Sequence, residues 1–538
     1  MSNITEIIVT EAAKIKSPDP EKINAIKRAV LRSSKISERF VPTAAELIKS
    51  YHKLVKENKL KPNPILMRAL AKRAVRSLSG VAVITVLTKP YPCPGKCVYC
   101  PHDPTMPESY LADEPAAARA LALHFDPYVQ VRSRIDTLVN NGHPAEKLEV
   151  IVKGGTWGAY PLSYQYWFTL RLFDAANLTK GKGLGPDAPL TKLKAALRIA
   201  QKQNEKATGR IIGYTLETRP DWITAESAEV MRDLGATRIE MGVQTTDDKI
   251  LKIVNRGHDT ETSKRATSIL RRYGFKVDYH LMPMLPTSTP AKDSKMLAEI
   301  FSDPSYRPDM VKIYPCTVIA GSELYNMWKR GEHKPYSAKQ LLEVLIKFKT
   351  IVPRYVRISR LIRDIPGNHV VAGNMTTNLR QDIQTEMKRR GLICSCLRCR
   401  EIGHLSDKEK LDLTTIKPKL FVEEYRASGG MEYFLSFENP ARTAVFAFCR
   451  LRVDPTGIYP SFIRELHTYG QALPLGVTGK KSEQHQGLGK QLIISAEKIA
   501  KKKGANKLAV ISGVGVRPYY RASGYRLENG YMVKWLKK

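Results

Sequence analysis

From residue 80 onward the apolar positions gather into short runs separated by helix-length stretches. Residues 81–87, 148–152, 210–217, 237–243, 275–282 and 310–314 predict strands, and residues 116–123, 225–234, 262–273 and 294–301 between them predict helices. Strand-then-helix units in series make parallel strands with crossover helices, so this part is α/β. Six units are too few to close an eight-stranded barrel. In such folds ligands collect at the carboxyl ends of the strands, so the segments after each run are where chemistry is expected.

The flanks follow other patterns. Residues 1–79 read as helical and basic, with Asn63-Pro64 opening a helix, because proline suits a helix start. Residues 80–315 hold the alternating units, and 316–404 connect them to a last part, 405–538. There, runs at 420–425 and 431–437 flank Ser428-Gly429-Gly430 and predict a hairpin. A strand at 443–453, a helix at 490–502 and strands at 507–512 and 531–535 follow.

The cysteines change the picture most. Cys93-Pro-Gly-Lys-Cys97-Val-Tyr99-Cys100 places three thiols in one loop just past the first run. A four-iron cluster normally takes four thiolates, so three leave one iron open to an outside ligand. The alternatives are a small zinc site or a disulfide pair, although zinc sites usually combine two knuckles and no second one lies nearby. A separate group, Cys394, Cys396 and Cys399, supplies three thiolates for zinc, with Cys316 as fourth ligand; otherwise His404 completes the set or the thiols are unliganded. Further candidates occupy the carboxyl ends of the runs. Gly154-Gly155-Thr156 lets backbone approach a ligand, or is a plain turn. Glu217 and Arg219 share one side of an extended segment and either hold a ligand or pair with each other. Gln244 ends the fourth run. Gln484-His-Gln-Gly487-Leu488-Gly489 leads into a helix whose first N–H groups suit phosphate.

Charge adds a partner. Lys and Arg number 87 against 52 Asp and Glu, a formal net charge of +35, which favours a polyanion such as nucleic acid. Arg68, Lys72, Arg73 and Arg76 fall largely on one helix face, and Arg354, Arg357, Arg360 and Arg363 form a second basic run for a nucleic-acid groove. No apolar run reaches the length that crosses a bilayer, and the N-terminus is too polar for a signal peptide. Clustered rather than scattered cysteines suggest metals in a reducing compartment, hence a cytoplasmic protein.

The C-x3-C-x-aromatic-C loop closely resembles that of the radical S-adenosylmethionine (SAM) enzymes. The resemblance implies a [4Fe-4S] cluster on Cys93, Cys97 and Cys100, SAM on its open iron, Tyr99 near the adenine, and SAM contacts from Gly154, Gly155, Thr156, Glu217, Arg219 and Gln244. It also implies a partial (βα)6 barrel. The Gln-x-x-Gly-x-Gly loop, set among antiparallel strands, resembles the pyrophosphate loop of the GNAT acetyltransferases, an α+β fold that binds acetyl-CoA. The two domains together, with Glu217-Thr-Arg-Pro-Asp, Arg464-Glu-Leu-His467 and Ser512-Gly-Val-Gly515, resemble the Elongator catalytic-subunit family over nearly the whole chain. That family carboxymethylates the wobble uridine of tRNA at carbon 5, with acetyl-CoA as carbon donor. Its acetyl-CoA contacts fall on Arg464, Glu465, Leu466, His467, Thr468, Gln484, Gly487, Leu488, Gly489, Tyr519 and Tyr520, with Tyr520 beside the thioester. A barrel lysine joins them, and Lys147 and Lys153 are both in place. The extra cysteines look like a prokaryotic, stand-alone form that binds the tRNA anticodon loop without requiring a complex or a membrane. The rival reading is a protein lysine acetyltransferase with a structural iron–sulfur cluster.

Overall fold

The computed structural model describes residues 2–33, 41–71, 80–179, 183–375, 378–403, 405, 416–469 and 487–536. Four helices lead the chain: α1 (Ser2–Ala13), α2 (Pro20–Ser33), α3 (Ala44–Lys56) and α4 (Pro64–Leu70). The Asn63 side chain accepts the N–H groups of Ile65 and Leu66, and Pro64 takes the first helical position, where a missing N–H costs nothing. These helices bury Ile8, Val9, Leu47, Ile48, Leu54 and Leu66 in a core of their own.

The alternating part forms a parallel sheet of β1 (Val81–Leu87), β2 (Lys147–Lys153), β3 (Arg210–Thr218), β4 (Arg238–Gln244), β5 (Lys276–Leu281) and β6 (Met310–Ile313). Each expected strand is present. A short ribbon pairs β7 (Val318–Ile319) with β9 (Val370–Ala372). A seventh parallel strand, β8 (Arg357–Arg360), pairs with β6 and extends the sheet into the connector. Its sequence, Arg-Ile-Ser-Arg, has one apolar residue, so no apolar run marks it. The first and last strands, β1 and β8, do not pair with each other, so the barrel stays open along one side.

The C-terminal sheet is ordered β10 (Lys419–Ala427), β11 (Gly430–Glu438), β12 (Val445–Val453), β13 (Ser461–Thr468), β14 (Lys507–Val510), β16 (Tyr531–Trp535), β15 (Arg526–Glu528). The expected hairpin joins β10 to β11. Only β13 and β14 run parallel, and they share two registered pairs, Phe462 with Ala509 and Ile463 with Val510. The helix Leu488–Lys502 lies in the chain between these two strands. This is an acetyltransferase-like arrangement.

The second sheet docks on the amino ends of the barrel strands, opposite the cysteine loop. Arg464 of β13 is fully buried and donates to both oxygens of Asp309, just before β6, at 2.6 and 2.7 Å. It also donates to Glu432 of β11 at 2.8 Å and to the carbonyl of Phe275 at 2.9 Å. Arg271 and Arg452 complete Glu432 at 2.8 and 3.0 Å. Ser512-Gly-Val-Gly515 is the other half of this seam. A Cβ on Gly513 would sit 2.0 Å from the Ile212 carbonyl oxygen, and one on Gly515 would sit 2.5 Å from the Arg210 Cβ. Backbone meets backbone there, so a methyl group cannot be absorbed by a side-chain turn. Gly513→Ala is expected to destabilise the chain by about 1–3 kcal/mol or more, read as a lowered melting temperature. An unchanged melt would show that the seam is slack.

Candidate functional site

The cysteine loop lies at the carboxyl end of β1. Neighbouring backbone holds it: Val98 donates to the carbonyl of Val254 at 3.1 Å and accepts from Leu324 at 2.7 Å, and Asn255 donates to the Lys96 carbonyl at 3.0 Å. Arg256 reaches Cys97 Sγ at 3.4 Å. Hydrogen bonding from Cys100 and the Arg256 charge draw the Cys97 thiol down to about 4. Cys93 Sγ lies 3.9 Å from the Thr156 hydroxyl, which brings the second strand's Gly-Gly-Thr turn to the same loop. Gly154 has φ +139°, and a Cβ there would strike the Thr88 hydroxyl at 1.8 Å, so only glycine fits.

Around this loop, buried polar atoms lack partners among the described residues: Thr218 Oγ1, Arg219 Nη1 and Gln244 Oε1. Arg219 forms a bidentate pair with Asp221, at 2.9 Å for each bond, rather than with Glu217. Its free Nη1 lies over Gly95, where a Cβ would come within 1.8 Å. Tyr99 is buried behind the loop. Three clustered thiols, a glycine cradle and orphaned donors and acceptors fit a three-ligand iron–sulfur cluster carrying a polar, zwitterionic ligand.

Below the loop the barrel interior is charged. Parallel strands covered on both faces are usually apolar throughout. Here, however, β2 turns Glu149 and Lys153 inward, β4 Arg238 and Glu240, β5 Lys276, Asp278 and His280, and β6 Lys312. Glu240, fully buried, contacts Lys153, Lys312 (2.5 Å) and His280 (3.1 Å). Glu217 takes Tyr110 at 2.8 Å and Lys153 at 3.3 Å. Burial drives His280 down to about 4 and Lys312 to about 8, and lifts Asp278 to about 7.

At the amino end the lining passes to the second sheet. Glu465 is held by Arg450 at 2.9 Å and Lys276 at 3.3 Å. Burial raises its carboxyl, but these two cations prevail and hold it at about 2. His467 stacks on Phe448 at 5.8 Å, and Leu466 and Tyr520 line the same end. The N-terminal end of the Leu488–Lys502 helix comes close by, where a Cβ on Gly489 would lie 2.8 Å from the Tyr519 hydroxyl and 3.5 Å from Thr468. Gly487 precedes that helix with φ +73°, and Leu488 begins it. One continuous cavity of about 1330 Å³ joins Cys93, Cys97 and Cys100 to Glu465, His467 and Tyr520. Lys153 lines it, whereas Lys147 lies at the far end of β2, outside it.

Several expected residues go elsewhere. Cys394, Cys396 and Cys399 converge with their sulfurs within 4.8 Å of one another, but Cys316 is not among them. Cys316 follows β6 at its carboxyl end, pinned by its N–H on the Pro283 carbonyl at 2.8 Å, whereas the triad sits by Val356 at the amino end of β8. The fourth-ligand expectation is therefore corrected, and His404 lies outside the described residues. Of the basic run, Arg357, Arg360 and Arg363 line the cavity, each tied to a neighbour. Arg357 bonds Glu401 (2.9 Å) and Tyr469 (3.0 Å), Arg363 bonds Glu114 (2.6 Å), and Arg354 donates to the Arg442 carbonyl (2.8 Å). Only Arg360 stands half exposed, beside Asp364. Arg464 is committed to the seam. Lys72, Arg73, Arg76 and Gln484 lie outside the described residues; Arg68 is in α4. Sequence reasoning missed Glu240, Lys276, Asp278, His280 and Lys312. Their signal was available: charges spaced two apart in strands predicted to be buried on both faces.

Residues 91–298 match the model of the radical SAM superfamily, and residues 308–389 match that of the radical SAM C-terminal domain. The chain is 42% identical to a tRNA uridine(34) acetyltransferase of Methanocaldococcus jannaschii, over 100% of this chain and 98% of the relative. It is 37% identical to human Elongator complex protein 3, over 88% of this chain and 87% of the relative. Its structure is similar to that of N-terminally truncated Elp3 from the archaeon Methanocaldococcus infernus, with a TM-score of 0.73 and 40% identity over 85% of this chain and 100% of that one.

Proposed function

Because the chain belongs to the radical SAM family that includes the tRNA uridine(34) acetyltransferases and Elongator complex protein 3, we propose that it modifies tRNA uridine 34, placing a carboxymethyl group on carbon 5 with acetyl-CoA as carbon donor. The observation that carries this reading is the single cavity that reaches from the three thiols to the acetyltransferase-like sheet. Two separate activities would need no such passage.

Cys93, Cys97 and Cys100 hold the cluster, and Gly155, Thr156, Arg219 and Gln244, with Tyr99, orient SAM on it. When bound, this pair supplies the homolytic chemistry at carbon that joining an unactivated methyl to a uracil ring requires. The Gly487-Leu488-Gly489 turn and the helix behind it cradle the coenzyme A pyrophosphate. Glu465, Leu466, His467 and Tyr520 position the thioester end, and Lys153, which lines the cavity where Lys147 does not, is the barrel lysine. The paired charges around Glu240 keep that part of the passage polar yet internally neutralised. Cys394, Cys396 and Cys399 hold zinc, which fastens the connector at the amino end of β8. The anticodon loop presents its base already unstacked, so delivery to an interior pocket is cheap. The basic N-terminal helices, with Arg68 on α4, and Arg360 grip its phosphates.

The test is an anaerobic, cluster-reconstituted protein given SAM, reductant, acetyl-CoA and tRNA, with nucleosides read by mass spectrometry. Carboxymethyluridine at position 34 is the expected product. Unmodified tRNA alongside an acetylated lysine peptide would transfer the assignment to the rival reading.

A further inference from the structure

Asp278 is fully buried in β5 and faces the cavity, yet neither of its oxygens has a hydrogen-bond partner among the described residues. An unsatisfied buried polar group costs about 1–3 kcal/mol, and more when charged. Two further polar groups face the cavity from the next strands. Lys312 on β6 lines the same cavity and spends one donor on Glu240 at 2.5 Å, leaving the rest of its ammonium available. Ser359 on β8 also lines it, and its hydroxyl is buried without a partner among the described residues. The strands are consecutive in the sheet, β5, β6, β8, with about 4.8 Å between neighbours. Asp278 and Lys312, on adjacent strands, therefore offer an acceptor beside a cationic donor, with the Ser359 hydroxyl beyond Lys312.

A planar edge that sets a donor beside an acceptor would satisfy Asp278 and Lys312 together. Uracil has that edge: carbonyl, N3–H, carbonyl. Cytosine carries a lone pair at N3, which a carboxylate repels. The reacting end of acetyl-CoA has no N–H, and SAM is oriented at the cysteine loop. We propose that Asp278 is the specificity-determining residue for the target base, accepting the uracil N3–H while Lys312 on the adjacent strand donates to the neighbouring carbonyl. This rests on the reading given under Proposed function.

The test uses the reconstituted full chain and anticodon stem-loops with uridine, 3-methyluridine or cytidine at position 34, compared by competition fluorescence anisotropy. The uridine loop is expected to bind about tenfold or more tighter than the other two, the usual worth of one specific base contact. In Asp278→Asn, whose amide presents either a donor or an acceptor, the uridine–cytidine preference is expected to fall to near unity. An unchanged melting temperature and unchanged affinity for a loop abasic at position 34 verify that the variant folds. If it does not fold, the 3-methyluridine comparison on the unmodified protein decides. Equal binding of the 3-methyluridine and uridine loops, or full discrimination by a folded Asp278→Asn protein, overturns the assignment. Nucleoside analysis of the same samples separates the two claims. Discrimination without carboxymethyluridine removes the function and leaves the base reader standing. Product formed with undiminished selectivity by the variant removes only the reader.

Discussion

Cys97→Ser is expected to abolish carboxymethyluridine formation and SAM cleavage while leaving acetyl-CoA binding intact. Cys97 is the thiol facing Arg256, and its pKa near 4 makes it a thiolate at neutral pH. A serine hydroxyl does not ionise there and is a poor iron ligand. Replacing outer-shell partners of metal ligands costs about 10–100-fold, so loss of a ligand itself is expected to exceed about 100-fold. Acetyl-CoA binding is expected to be spared because the residues proposed to hold it, Glu465, His467 and Tyr520, lie at the opposite end of the barrel. Iron and labile-sulfide content, SAM cleavage, and acetyl-CoA affinity by calorimetry are the measurements. A Cys97→Ser protein with full iron and full turnover would show that the loop is not the cluster site.

The largest stability effect is expected at Asp309. Its carboxylate receives two bonds from Arg464 and lies near Arg271 and Arg450, all fully buried. Burial alone would raise its pKa, but the guanidiniums hold it far below the usual carboxylate range. Asp309→Asn leaves Arg464 and Arg271 sharing Glu432, with Arg450 held by Glu465, and breaking a buried pair from one side costs about 3–5 kcal/mol. Chemical denaturation measures this; a loss under about 1 kcal/mol would mean the seam contributes little. The pH dependence has a definite sign. A carboxylate with a depressed folded pKa stabilises fully above its unfolded value, and that contribution drains away as pH falls towards the folded value. Glu465, at about 2, therefore loses its share between about pH 4.5 and 2. Asp309 starts to lose its own near pH 4 and continues lower. The melting temperature should fall across this window, and more gently in Asp309→Asn, which has one fewer group to protonate.

How far the sequence could be read depended on whether a signal was local. The cysteine loop, the Gly-Gly-Thr turn, the Asn63-Pro64 cap and the Ser-Gly-Gly hairpin each draw their conformation from a few adjacent residues, so spacing and residue type were enough. Six barrel strands were visible because apolar and β-branched residues recur within each at short intervals; β8 was not, since its four residues hold one apolar side chain between arginines. Arg464 and Ser512-Gly-Val-Gly515 stood out as motifs, yet their work is at the seam. The requirement for glycine at 513 comes from Ile212, about 300 residues away in the chain.

The sequence by itself determined the class of each domain, the three-thiol loop and the basic character of the whole, because periodicity, ligand spacing and charge survive without a fold. Tertiary structure alone decided which charges meet. It sent Arg357 to Glu401 rather than to solvent, separated Cys316 from the other connector cysteines by placing them at opposite ends of the barrel, and chose Lys153 over Lys147 for the interior. It also joined the two ends of the barrel into one passage, since burying charge demands partners and those partners lie on strands far apart in the chain.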